Sequence, residues 1–259
     1  MIPAQKGYLD RLVAYFERPA FIASDPISLP HGFDDPRDQE VIGLFAALLA
    51  WGQRKTVLNK MIDLCERMRY EPYRFIYDFD PDRDAGRLKG FKHRTFQPGD
   101  AFWLSSNLCK LLREYGTIEE LFVRHLQSSH IDIGPAIQGF SDSIMQADAA
   151  TPRRLQKHLA RPNTGSACKR LNMYLRWMVR PGPVDLGIWK RIPKTALMLP
   201  LDVHSARQAR KLKMLERAND DWKACEELTL KCRQLCPDDP ARYDFAFFGL
   251  GIYGDPAGN

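Results

Sequence analysis

Apolar residues recur along most of the chain at intervals of three and four positions, which is the spacing of one face of an α-helix. Tyr8, Leu9, Leu12, Val13 and Phe16 form the first such face. The same spacing predicts further helices over residues 38–51, 57–68, 100–112, 118–126, 131–145, 154–159, 167–179, 203–215, 221–235 and 240–250. Alternation typical of strands is nearly absent, apart from short apolar runs near residues 197–199. The pattern therefore predicts about ten or eleven helices and an all-α fold.

Proline and glycine mark where these helices begin and end. Residues 24–36 contain three prolines and are expected to form an ordered loop. Helices are expected to begin or to be separated at Pro72, Pro81 and Pro98, because proline fits the first helical turn. The run Arg-Pro-Gly-Pro at residues 180–183 ends the helix predicted over residues 167–179. No internal repeat or low-complexity tract divides the chain.

The charge of the chain is unevenly distributed. Of its 259 residues 44% are hydrophobic, which is enough for one substantial core or two modest lobes, and the net charge is +6. Residues 153–213 hold fifteen Lys and Arg against only two acids, Asp185 and Asp202, whereas the rest of the chain is net negative. Because basic side chains that reach phosphates release counterions, this segment predicts a surface that faces nucleic acid. A solvated charged face is the alternative.

Several classes of protein are disfavoured. The first residues, MIPAQKGYLDRLVAYF, are amphipathic, and the longest apolar run, residues 41–51, is too short to cross a bilayer. We therefore expect no membrane partner and a cytoplasmic location, associated with the bacterial nucleoid if the protein acts on DNA. The six cysteines are expected to be reduced. Walker, Rossmann, His-Glu-x-x-His and Cys-x-x-Cys motifs are absent, so neither a cofactor nor a metal is predicted.

One candidate stretch is Arg161-Pro-Asn-Thr-Gly-Ser-Ala-Cys-Lys169-Arg170. It is expected to turn between two helices, and the amides that open the second helix offer a phosphate site. In that first turn the helix dipole and the neighbouring Arg170 favour a neutral, nucleophilic amine on Lys169. An ordinary connection between helices and a phosphate-binding lysine are the alternatives.

A second candidate stretch is Leu199-Pro-Leu-Asp202-Val-His204. Asp202 stands where the N-cap of the next helix belongs, so it either only caps that helix or also turns its carboxylate toward a cleft. A rival lysine, Lys194, lies eight residues before Asp202 and precedes no long helix, so we expect it to be a loop lysine.

These residues carry a resemblance over roughly residues 150–215. A hairpin, a lysine at its second helix and a Pro-x-Asp-x-His run resemble the helix-hairpin-helix DNA glycosylase superfamily. The spacing of 33 positions from Lys169 to Asp202 is similar to that in archaeal 8-oxoguanine DNA glycosylase, whereas the endonuclease III branch has a shorter spacing after a Gly-x-Gly hairpin. Over nearly its full length the chain also looks like a family of uncharacterised, mostly bacterial proteins, with the hallmark stretches DPISLPHGF, AALLAWGQR, FKHRTF, SACKRLNMYLRWMVR, PLDVH and YDFAFFGLG.

Three cysteines near the end of the chain need a separate interpretation. The spacing of Cys225, Cys232 and Cys236 is similar to the iron–sulfur loop of endonuclease III, but a fourth cysteine is missing. All three positions also fit one face of a helix. They are therefore predicted to be buried thiols.

The glycosylase resemblance implies a single domain over residues 1–259 with two helical lobes and a cleft between them, and a catalytic segment at about 151–215. It implies a monomer that excises a damaged base, such as an oxidised one, from double-stranded DNA. Asp202 would stabilise charge at the glycosidic carbon, and Lys169 would form a Schiff base. The residues expected at the DNA backbone are Arg161, Asn163, Gly165, Arg170, His204 and Arg207. The expected base pocket comprises Trp51, Gln53, His93, Arg94, Trp189 and Phe248.

Other interpretations of the same residues stay open. For each aromatic residue of the expected pocket, the alternative is core packing. A second hypothesis for the whole chain is a DNA- or RNA-binding protein that keeps the fold without excising a base. A third is an enzyme of another class that uses Lys169, His93 or His204.

Overall fold

A computed structural model of the chain describes residues 2–126 and 132–256. Within these residues the chain forms twelve α-helices, several short 3-10 helices and no β-strand, which confirms the predicted all-α fold. The α-helices are α1 (Ile2–Phe16), α2 (Pro36–Leu49), α3 (Arg54–Arg67), α4 (Pro72–Tyr77), α5 (Pro81–Leu88), α6 (Pro98–Tyr115), α7 (Ile118–Val123), α8 (Gly134–Gln146), α9 (Lys169–Val179), α10 (Val203–Lys211), α11 (Trp222–Leu235) and α12 (Asp244–Tyr253). The first residue of the helix predicted over residues 131–145 lies outside the described residues.

Proline and aspartate fix several helix starts. Pro72, Pro81 and Pro98 are the first residues of α4, α5 and α6, as the sequence predicted. The side chains of Asp80 and Asp202 accept backbone N–H groups from the first turns of α5 and α10. These caps satisfy amides that would otherwise have no partner within the helix.

The three predicted helices that differ most from the structure lie between residues 153 and 250. Residues Arg153–Lys157 and Pro162–Thr164 form 3-10 helices, so the first α-helix of the expected helical hairpin is not formed and only its second helix, α9, is present. The helix predicted to reach residue 215 ends at Lys211, and Lys213 adopts a left-handed conformation with φ of 56°. Residues 240–250 divide into a 3-10 helix, Pro240–Tyr243, and α12. The ordered loop expected at residues 24–36 contains two further 3-10 helices.

The chain folds as two compact units. The terminal unit comprises Met1–Phe21, Ser128–Gly134 and Arg161–Asn259, and the central unit comprises Ile22–Gln127 and Pro135–Ala160. The terminal unit holds 20 of the 38 Lys and Arg and 14 of the 32 Asp and Glu, whereas the central unit holds 18 of each. The whole net positive charge of the chain is therefore carried by the terminal unit.

The core of the terminal unit is built around α9, whose Tyr174 and Trp177 side chains are fully buried. Helix α12 lies close to α1 at Gly249, where a Cβ atom would come within 2.3 Å of the Phe16 ring. This approach needs a residue without a side chain. The close packing fixes the position of α12 against the rest of the unit.

The core of the central unit is built around α2, which is buried from Glu40 to Leu49, and α6. Asp100, in the first turn of α6, is fully buried and accepts two hydrogen bonds of 2.8 Å from Arg154. Burial acts to raise the pKa of Asp100, but the bonds from Arg154 and from the Gln97 amide hold it below its ordinary value. The ionised carboxylate thus ties the 3-10 helix at residues 153–157 to α6.

Candidate functional site

Lys169 and Asp202 are brought together by the starts of two helices in the terminal unit. Lys169 is the first residue of α9 and follows Cys168, which adopts a left-handed conformation with φ of 48°. Asp202 is the N-cap of α10. The Lys169 Nζ atom lies 3.8 Å from the Asp202 Oδ2 atom, which is an ion pair too long for a hydrogen bond.

The two oxygens of the Asp202 carboxylate have different partners. Oδ1 accepts hydrogen bonds of 2.9 Å from the backbone amides of His204 and Ser205. Oδ2 faces Lys169. Asp202 therefore caps α10 and faces Lys169 at the same time, and the cap hydrogen bonds fix the orientation of its carboxylate.

The Lys169 amine has an apolar side as well as a charged one. Its Nζ atom lies 3.6 Å from the Met173 sulfur and 5.9 Å from the centre of the Phe248 ring. The Lys169 and Asp202 side chains are 26% and 22% exposed, so both are accessible to a ligand. The site combines an amine, a carboxylate and an aromatic face on three helices.

Asp244, the first residue of α12, is a buried carboxyl group near this pair. It is 5% exposed and forms an ion pair with Arg176. Burial raises the pKa of Asp244 to about 6, and the charge of Asp202 acts in the same direction, whereas Arg176 and Lys169 act to lower it. The sequence interpretation missed this residue, although an isolated acid before the apolar run Phe-Ala-Phe-Phe was the available signal.

The segment before α9 was expected to offer free amides to a phosphate, but several of its amides are already used. The amides of Thr164 and Gly165 donate to carbonyls within the segment, and the Cys168 amide donates to the Ser166 hydroxyl at 3.2 Å. Gly165 has a left-handed backbone with φ of 79°, and its carbonyl oxygen accepts a hydrogen bond of 3.1 Å from the Trp222 amide. These bonds shape the loop that precedes α9, and phosphate binding by the amides that open α9 stays a prediction.

The residues expected at the DNA backbone differ in exposure. Asn163 and Gly165 are exposed, Arg161 and Arg170 are partly buried, and burial lowers the pKa of Arg170. On α10, one helix turn from Asp202, His204 and Arg207 are exposed. All six lie in the terminal unit, and their contact with DNA stays a prediction.

Part of the basic charge in residues 153–213 is neutralised inside the protein. Arg180 is 3% exposed and pairs with Asp185, Asp239 and Glu17. Arg176 is likewise buried and pairs with Asp185 as well as with Asp244. A charged side chain is buried only with such partners. The charge run is therefore partly structural, which corrects the view that the whole segment faces nucleic acid.

The residues expected in the base pocket fall into two groups. Phe248 lies beside Lys169, whereas Trp189 is 3% exposed and packs edge-on against Tyr174 with ring centres 5.3 Å apart. The other four belong to the central unit.

In the central unit the His93 Nε2 atom lies 2.9 Å from the Trp51 carbonyl oxygen, and the two rings meet edge-on. The Arg94 guanidinium lies 5.4 Å from the centre of the Trp51 ring, and Gln53 is exposed at the N-cap of α3. Trp51, His93 and Arg94 therefore form one cluster. Its His93 is buried, whereas Arg94 is exposed.

The cysteines and possible metal ligands are accounted for within residues 2–126 and 132–256. All six cysteines are free thiols, and burial raises the pKa of Cys225 and Cys232 on α11 well above its ordinary value. Cys236 is partly exposed. Over the same residues there is no group of three His, Cys, Asp or Glu side chains that could hold a metal ion. No helix in that part of the chain has the length and apolar character needed to span a membrane.

Comparison with known proteins identifies one family. The model of the family described as "Protein of unknown function (DUF2400)" matches residues 25–253. No curated protein and no solved structure matches the chain.

Proposed function

We propose that this chain, which belongs to the DUF2400 family of proteins of unknown function, is a DNA glycosylase with AP lyase activity that acts through a Schiff base on Lys169. The observation that carries the proposal is the 3.8 Å distance between the Lys169 amine and the Asp202 carboxylate. The two residues are 33 positions apart and stand at the starts of different helices. Schiff-base chemistry on a lysine needs a reactive amine, and a carboxylate held beside that amine can act on the same sugar carbon.

Asp202 would assist the departure of the base. As the glycosidic bond breaks, positive charge develops at the sugar carbon, and a fixed carboxylate stabilises that charge. The two amide hydrogen bonds to Oδ1 hold the Asp202 carboxylate in one direction before substrate binds. A group that is oriented beforehand has little reorganisation to undergo during the reaction.

Lys169 would form the covalent intermediate. As the bond from C1′ to the base breaks, the Lys169 ammonium gives a proton to the leaving base, and the neutral amine that remains attacks C1′. Opening of the sugar ring gives a Schiff base, and loss of a C2′ proton then breaks the C3′–O bond and nicks the strand. The Phe248 ring, 5.9 Å from the amine, offers an aromatic face on which the flipped base can stack.

The charge of the terminal unit supports a nucleic-acid substrate. This unit carries the whole net positive charge, and its exposed His204 and Arg207 follow Asp202 on α10. Side chains there can pair with phosphates on either side of a nucleotide whose sugar reaches Lys169. Phosphate contacts of this kind fix the register of DNA on a protein without reading its sequence.

The test is borohydride trapping with a duplex that contains an abasic site. We expect a covalent protein–DNA adduct that is lost in Lys169→Gln and kept in Lys194→Gln, which removes the rival lysine of the same unit. An adduct that persists in Lys169→Gln contradicts the proposal. Tight, salt-sensitive binding without any adduct would favour a non-catalytic nucleic-acid-binding protein, and lack of DNA affinity at low salt would exclude both.

A further inference from the structure

The central unit contains a pocket of about 560 Å³ at the end of α3 and along α4 and α5. Its lining includes four guanidinium groups, those of Arg69, Arg74, Arg83 and Arg87, and three carboxyl groups, so it carries a net charge of +1. A volume of this size lies in the range of small-molecule sites. We propose that this pocket binds a small organic phosphate of about mononucleotide size.

Two of the four arginines form ion pairs with one buried carboxylate. Asp84 is 2% exposed, and its Oδ2 atom lies 2.6 Å from an Arg83 nitrogen, while its Oδ1 atom lies 3.9 Å from Arg87. Burial acts to raise the pKa of Asp84, but the bonds from Arg83 and the Asp80 amide hold it below its ordinary value. The ionised Asp84 therefore orients the Arg83 guanidinium through hydrogen bonds and attracts that of Arg87 without a hydrogen bond.

The other two arginines have charge available for a ligand. Arg74 lies 3.4 Å from Glu71 and 3.9 Å from Asp78, and all three side chains are more than half exposed. Exposed ion pairs of this length contribute little to the free energy of folding, so the Arg74 guanidinium can leave these acids for a ligand. Within the described residues, the Arg69 side chain forms no hydrogen bond or ion pair, so its charge is unmatched.

The lining favours an organic phosphate over a simple ion. Guanidinium groups bind phosphate oxygens in pairs, and a phosphate can meet several of them at once. The pocket is much larger than one phosphate, and the Arg87 guanidinium, 5.4 Å from the ring centre of the buried Phe75, offers a planar face on which a ring can stack. A ligand with a phosphate and an uncharged ring or sugar would use both features.

The substitution Arg69→Asn tests the site with little risk to the fold. Arg69 has a left-handed backbone with φ of 57°, which asparagine adopts more easily than most residues. The control is Arg153→Gln, which removes an exposed guanidinium elsewhere in the same unit. Thermal unfolding without ligand should be unchanged in both variants.

The measurement is calorimetric titration of the full chain with AMP, inorganic phosphate and citrate at low ionic strength. We expect AMP to bind with a dissociation constant of about 10⁻⁴ M. Loss of the Arg69 guanidinium should weaken it about tenfold, as expected for a hydrogen bond between charged groups. Arg153→Gln should bind like the unmodified chain.

Four results would overturn the proposal. The first is an AMP affinity that Arg69→Asn leaves unchanged. The second is an equal loss in Arg153→Gln, which would indicate attraction to overall charge. The third is absence of AMP binding at about 10 mM, a concentration well above the expected dissociation constant. Citrate bound more tightly than AMP would assign the pocket to carboxylates and would also contradict it.

Discussion

At the level of single residues, the two oxygens of the Asp202 carboxylate have different partners: Oδ1 caps α10, and Oδ2 faces Lys169. The contribution of Asp202 to stability can therefore be measured separately from its role in the reaction. Asn caps helices as well as Asp does, so Asp202→Asn should keep the amide bonds at the start of α10. We expect thermal unfolding close to that of the unmodified chain and a large loss of base excision, because the charge that stabilises the sugar cation is gone. Circular dichroism and a single-turnover excision assay measure the two effects.

Asp202→Ala is the matched comparison. It removes the cap together with the charge and should lower the free energy of unfolding by about 1 kcal/mol. If Asp202→Asn lost as much stability as Asp202→Ala, the ion pair with Lys169 would be the main stabilising contact. If Asp202→Asn kept full excision activity, the carboxylate would have no part in the reaction.

Asp244 gives a prediction on pH. Its pKa is raised from 3.8 to about 6 in the folded protein, chiefly by burial. The folded state thus binds the proton more tightly than the unfolded chain. This group contributes stability below about pH 4 and loses that contribution as pH rises through about 6. Asp244→Asn resembles the protonated form at every pH. We therefore expect the free energy of unfolding of the variant to rise, relative to that of the unmodified chain, by roughly 1 to 3 kcal/mol as the pH increases from about 4 to above 6.

Urea unfolding of both proteins at several pH values between 4 and 7 measures this difference. A constant difference, or one that moves in the opposite direction, would mean that Arg176 keeps Asp244 ionised throughout. The total stability of each protein also depends on other carboxylates, such as Asp100, whose pKa is lowered. Only the comparison between the two proteins isolates Asp244.

Residues of the site were predictable where local sequence determines their place. Asp202 follows Leu-Pro-Leu and precedes a helical pattern, so its cap position could be inferred from its neighbours. Asp244 and Arg176 could not be paired from the sequence, because they are distant along the chain and meet only after α9 and α12 pack. Their burial is a tertiary property.

Among the helices, the close contact of α12 with α1 predicts that a glycine-to-alanine substitution will destabilise the protein in α12 but stabilise it in α5. Gly249→Ala would place a Cβ atom 2.3 Å from the buried Phe16 ring. Overpacking of this kind costs about 1 to 3 kcal/mol, against a gain of at most about 1 kcal/mol from helix propensity. We expect a net loss of stability in urea unfolding.

Gly86→Ala in α5 is the control. No atom lies within 4 Å of a Cβ at Gly86, so only the gain in helix propensity remains, and stability should rise by about 0.5 to 1 kcal/mol. Equal gains in both variants would show that α12 does not approach α1 this closely.

The existence of most helices could be read from apolar spacing, but their ends could not. The helix predicted to reach residue 215 ends at Lys211, and Lys213 has a left-handed backbone. The turn at residues 153–157 is a 3-10 helix despite its apolar spacing. A helix end depends on the backbone angles of one or two residues, which an average over many positions does not detect.

At the scale of the whole molecule, the concentration of net charge in the terminal unit predicts how salt affects DNA binding. Arg207→Gln should weaken binding to all sequences alike and reduce the slope of log affinity against log salt by about 0.9, if one phosphate contact is lost. Titration of a labelled duplex at several salt concentrations measures this slope. Lys55→Gln, an exposed cation of the central unit, is the control and should leave the slope unchanged. Equal slopes for all three proteins would remove Arg207 from the interface.

The charge count over residues 153–213 overstates how much of the basic charge of that segment faces outward. Arg180 and Arg176 count as cations along the chain, yet each is buried against acids from other segments. Charge counting has no information on such partners, since they are brought near only by the fold. Charges that reach solvent, such as Arg207, are the ones available to DNA.

The most direct measurement is the identity of the lysine that is joined to DNA. The adduct trapped with borohydride on an abasic duplex can be digested with nuclease and trypsin and analysed by mass spectrometry. A modified Lys169 resists trypsin, so we expect a sugar-derived mass on a peptide spanning residues 158–170. The same mass on Lys194 or on the terminal amine, or no adduct at all, would contradict a Schiff base on Lys169.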